Sequence, residues 1–219
     1  MAANATPVAV EGYVKPTWRG WLHLVWFELA LVAGTVLILN VPSSERVPTT
    51  IYAATVAALF GTSALYHRGT WGLSMHRLLQ RLDHAMIFLL IVGTATPVFA
   101  IAVQGRLSAV LLVGIWTLTS LALVTHLIWM HAPELLVGAT FVGLGLLGTA
   151  ALPAVWQYAG VVASLLVAAG GTLYITGAVL YHRRSPDPSP NVFGFHEVFH
   201  AFVCAGATLH YVAIACLIV

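Results

Sequence analysis

The 219 residues are 60% hydrophobic and only 7% charged, a balance outside the range of soluble globular chains. Nine Lys and Arg against seven Asp and Glu give a formal net charge of +2. No basic cluster of the kind that grips phosphate is present, which argues against a nucleic-acid partner. Stretches such as 51–65 and 161–180 are continuously apolar rather than alternating, so a membrane β-barrel is excluded as well. What remains is an all-α integral membrane bundle whose solvent is lipid, with runs long enough to cross about 30 Å of hydrocarbon at about 1.5 Å per residue.

In chain order, residues 1–18 lack a positive region followed by a short apolar core and read as a short cytoplasmic N-terminal segment, not as a cleavable signal peptide. Residues 19–219 are expected to form one domain of seven transmembrane helices, over 20–40, 47–67, 75–103, 107–128, 133–151, 155–182 and 196–219. The first carries Glu28, for which the sequence offers no partner. Breaks are expected at Asn40-Val41-Pro42-Ser43-Ser44, Gln104-Gly105-Arg106, Ala132-Pro133, Leu152-Pro153 and the proline-rich run from Ser185 to Pro190, none of which favours continued helix. Thr96-Pro97 should bend the third helix. Small residues at Ala30/Gly34, Gly145/Gly148 and Gly170/Gly171 predict close helix packing. Cys204 and Cys216, twelve positions apart on one helix, would lie roughly 18 Å apart and cannot pair. No repeat or inverted half of the transporter type is evident.

Lys15, Arg19, Arg68, Arg77, Arg81, Arg183 and Arg184 fall on one side of these spans, and Arg46 and Arg106 on the other. The excess of positive residues places the N-terminus in the cytoplasm and, with an odd number of spans, the C-terminus outside. A multi-pass protein of the cell inner (plasma) membrane follows as the expectation.

Ionisable side chains at membrane depth are costly and point to function. Ser63 and His67 lie one helical turn apart at the end of the second helix, Asp83 near the start of the third, and His196 and His200, also one turn apart, at the start of the seventh. An odd-numbered helix starts on the side where an even-numbered one ends, so all five share one membrane face. Two imidazoles at i and i+4 with a third from another helix make the three-ligand set of a catalytic zinc site. Such a metal activates water near neutrality if a neighbouring group takes the proton.

Asp83 is the candidate for that group, as general base or as an anchor behind the ligands. Its bland alternative is an ion pair with Arg77 or Arg81. Ser63 could bond an oxyanion, bond Asp83, or simply bond back to the carbonyl at position 59. Glu197 completes the H-E-x-x-H pattern of zinc proteases but is rotated about 100° from His196, so it could instead turn to the loop as an N-terminal helix charge. It ranks behind Asp83. The histidines at 23, 76, 84, 126, 131, 182 and 210 read as interfacial or packing residues, with His84, beside Asp83, the one of interest.

Ser63-Ala-Leu-Tyr-His67, Arg81-Leu-Asp83-His84-Ala-Met-Ile-Phe, Gly93-Thr-Ala-Thr-Pro97 and Gly194-Phe-His-Glu-Val-Phe-His200 resemble the bacterial haemolysin III family over about residues 19–219. That family resembles the progestin and adiponectin receptors and, more distantly, alkaline ceramidases. The resemblance implies zinc held by His67, His196 and His200, Asp83 contacting the metal's water, Ser63 nearby, and seven helices with a cytoplasmic N-terminus. The long N-terminal domain of the animal receptors has no counterpart in the roughly eighteen residues before the first span.

Three functions compete. The first is a zinc-dependent hydrolase of a lipid amide or ester bond, ceramide-like, with membrane lipids as its source of substrate. The second is a receptor-like or stress-responsive protein with structural zinc, and the third a haemolytic or pore-forming protein. In each zinc-binding case acidification near pH 6 should release the metal, because only neutral imidazole coordinates.

Overall fold

The computed structural model describes residues 15–129 and 132–218. Its helices are α1 (Trp21–Asn40), α2 (Arg46–Arg68), α3 (Leu73–Pro97), α4 (Gly105–Ile128), α5 (Glu134–Gly148), α6 (Leu152–Arg183) and α7 (Phe195–Ile218). No β-strand occurs among the described residues. The chain is therefore all-α, and it is a multi-pass membrane protein: six helical runs are long and apolar enough to cross a bilayer. Large apolar side chains along α1 (Val25, Leu29, Val32, Val36, Leu39) and α4 (Leu107, Val110, Val113, Leu121, Val124) are exposed, as lipid-facing helices require and as a water-soluble bundle would not tolerate.

Where the sequence predicts seven spans, the fifth qualifying run is one stretch of 49 residues, Leu135–Arg183, covering both the fifth and sixth predicted helices. The predicted break at Leu152-Pro153 falls where α5 ends at Gly148 and α6 begins at Leu152, joined by a 3₁₀ turn at Thr149–Ala151. Proline is tolerated in a first turn because that N–H has no intrahelical acceptor to lose. The non-helical backbone comes later, at Gly160 (φ 84°), a conformation that suits glycine. The run is not a straight rod: the Ser164 hydroxyl donates to the Leu152 carbonyl at 2.8 Å, whereas twelve residues of straight helix would separate them by about 18 Å.

α1 packs on α2, α2 on α3, and α6 along α7, with α7 also meeting α1. Phe60, Phe88, Val92, Phe99, Val155 and Ile214 are almost fully buried between them. Gly34 lets α1 approach Ala53 of α2, and Gly170 sits against the His210 ring. Gly145, Gly148 and Gly171 face open space, so the packing expected there is absent. The bend expected at Thr96-Pro97 takes the form of a π-helical turn over Val98–Ala102, a local widening that follows from proline's missing N–H.

Candidate metal centre

His67 occupies the last turn of α2, Asp83 the third turn of α3, and His196 and His200 the first two turns of α7. The bundle brings these ends together. One ring nitrogen from each of His67, His196 and His200 lies within 4.8 Å of the others, and the Nε2 atoms of His196 and His200 are 3.0 Å apart. The His67 ring meets His196 edge-on at a centroid distance of 4.7 Å. His67 Nε2 is buried with no hydrogen-bond partner. A buried polar atom without a partner costs about 1–3 kcal/mol, and a cation between three imidazoles removes that cost. The donor set fits zinc, which takes nitrogen ligands in sites that keep one position open.

Asp83 Oδ2 is 3.7 Å from His67 Nε2, and Ser63 is close enough to act on the Asp83 carboxylate. Ser63 and His67 thus both lie beside the Asp83 carboxylate, while the Arg77 Nε–H donates to the Leu73 carbonyl.

Glu197 is fully buried and committed elsewhere. One carboxylate oxygen pairs with the Arg19 guanidinium and the other accepts from the Gly194 N–H at 2.9 Å, closing the first turn of α7. The H-E-x-x-H pattern here places its glutamate against Arg19. Residues 15–20, the described end of the predicted N-terminal segment together with Arg19 and Gly20, are strapped across this end of the bundle; the rest of 1–18 lies outside the described residues. Thr17 and Trp18 donate backbone hydrogen bonds to the Asn191 and Val192 carbonyls, and Arg68 lies over the Trp21 ring at 3.9 Å. Gly20 has φ 81° and sits where a Cβ would come within 2.8 Å of His67 Cβ. Lys15, outside the spans, reaches toward the Gly69 carbonyl. Partial burial and the neighbouring Arg68 and Arg19 charges hold its ammonium below the usual lysine value.

His23, which the sequence reads as an interfacial or packing residue, lies against the cluster: its ring stacks on His200 at 3.7 Å, with 11° between planes. The helix-parity argument applies equally to α1, whose third residue it is. Arg19 had no comparable signal. His84 does not join the cluster; its Nδ1 donates to the Gln80 carbonyl at 2.8 Å and its ring faces His126. Glu28 is exposed on α1, and His131 lies outside the described residues.

Residues 12–211 match the family described as haemolysin-III related. The chain is 27% identical to Hemolysin-3 of Bacillus cereus over 196 residues, covering 85% of this chain and 84% of that one. It is also 27% identical to the Hemolysin-3 homolog of Bacillus subtilis (strain 168) over 180 residues, 81% of each chain. With all four motifs inside the matched region, the chain belongs to the haemolysin III family.

Proposed function

We propose that this protein is a zinc-dependent membrane hydrolase that cleaves an amide or ester bond of a lipid. The observation that carries the reading is the convergence of three ring nitrogens within 4.8 Å beside a carboxylate 3.7 Å from one of them. His67, His196 and His200 would hold the ion, leaving one position free of protein. Zinc so bound would supply a Lewis acid for a carbonyl oxygen and water ionised near pH 7. Asp83 accepts a proton from the nucleophile and returns it to the leaving group. Ser63, beside Asp83, would fix the direction of that carboxylate by donating to it. Burial of His67 and His200 excludes bulk water, and the lipid-facing walls of the bundle give an apolar substrate its route in.

In this reading the 49-residue run crosses twice, turning around Gly160, so that the chain makes seven crossings of the inner (plasma) membrane with its N-terminus in the cytoplasm. The excess of Lys and Arg at the histidine-bearing end supports that orientation.

The test is turnover of fatty-acyl amides by purified protein. Asp83→Ala should retain metal and lose turnover, and a chelator should abolish turnover in wild type. Undiminished turnover in either case overturns the proposal. The name of the Bacillus cereus relative favours a second reading, membrane lysis, which predicts solute release from liposomes that survives Asp83→Ala. A structural zinc site in a receptor-like protein predicts a lower unfolding temperature on chelation, with no turnover before or after.

A further inference from the structure

His23 is only 3% exposed, in the third position of α1. Its ring lies face to face with His200 and edge-on to Phe60 at 5.0 Å. The His200 backbone carbonyl is near enough to act on the ring, yet neither ring nitrogen has a hydrogen-bond partner. A phenyl ring would fill the same slot, stack equally well and leave no polar atom stranded. Two buried nitrogens without partners are a standing cost, and such groups mark places where a bound species supplies the missing partner. The His200 ring, one of the three that can share an ion, is stacked on this ring, so the species in question is one held at the histidine cluster.

We infer that His23 is a fourth functional imidazole of the site, donating a hydrogen bond to the carbonyl-type oxygen of an amide or ester ligand bound beside His67, His196 and His200. The inference rests on the hydrolase reading and adds the residue that recognises the polar group of its substrate. His23 stands outside the set of nitrogens that can share one ion, so its work is directed at the ligand and not at the metal. Glu197 cannot take this role because Arg19 and Gly194 occupy both its oxygens.

The experiment loads the detergent-purified full chain with Co²⁺ and titrates it with acetohydroxamate, a small amide-like probe, following the visible spectrum. Wild type, His23→Phe and His23→Gln should each bind one Co²⁺ per chain. His23→Phe should bind acetohydroxamate about tenfold more weakly, the loss of one buried hydrogen bond, and His23→Gln, which restores a donor, should recover most of that affinity. Equal affinity in wild type and His23→Phe would make His23 a packing ring and overturn the inference while leaving the metal site standing. Loss of Co²⁺ from both His23 variants would overturn it differently, by making His23 a requirement for metal. No Co²⁺ in wild type would overturn the underlying site itself.

Discussion

Replacing Arg19 by alanine strips Glu197 of its ion-pair partner and tests whether the strap across the histidine end of the bundle is structural. An exposed ion pair is worth at most about 1 kcal/mol, so the size of the effect depends on burial. The Glu197 side chain is 1% exposed and that of Arg19 13%, which places the pair in the buried regime. There, removing one partner leaves an uncompensated charge and costs about 3–5 kcal/mol. The Gly194 N–H would still bond one carboxylate oxygen, which puts the expectation at the lower end, about 3 kcal/mol. Removing both charges together, Arg19→Met with Glu197→Gln, should restore most of that stability, because a neutral amide keeps the Gly194 bond and no charge is stranded. The assay is equilibrium unfolding in mixed micelles with increasing sodium dodecyl sulfate, on wild type, both single variants and the double variant. Arg19→Ala within 1 kcal/mol of wild type would refute the assignment of Glu197 as a buried structural partner and return it to the list of candidate bases.

Gly20→Ala forces a side chain into the left-handed region at φ 81° and toward His67 Cβ; a destabilisation of about 1–3 kcal/mol is expected from the backbone alone, with weaker metal retention measured in the same samples. Wild-type stability and metal content in that variant would show that residues 15–20 do not set the position of α2. Lys15 should give a pH signature. Its folded pKa is depressed, so the unfolded chain binds more protons in the window below the usual lysine value, and stability should rise as pH climbs through that window. Lys15→Met should remove this rise and stabilise the protein at neutral pH; an unchanged alkaline profile would contradict it.

The clustering of His67, His196 and His200 was legible because its signals are local and periodic. His196 and His200 lie one turn apart, as do Ser63 and His67, and helix parity alone places those ends together with Asp83. What was not legible depends on contacts between distant segments. Glu197 faces Arg19 across 178 positions, and nothing near His196-Glu197 in the sequence reveals it. Leu152-Pro153 marks the junction of α5 and α6 as expected, but the further departure from helix at Gly160 has no signal in the sequence beyond the glycine itself. Small residues predict close packing without saying which face meets a neighbour, which is why Gly34 and Gly170 fit the expectation and Gly145, Gly148 and Gly171 do not. His23 is the instructive case, since the parity argument that assembled the other histidines covered it as well.

Elemental analysis of the purified chain tests the centre most directly. Wild type should carry one zinc per chain, and His67→Ala and His200→Ala, folded by the same unfolding assay, should carry none. Metal-replete wild type without zinc, or variants that keep it, would contradict the account.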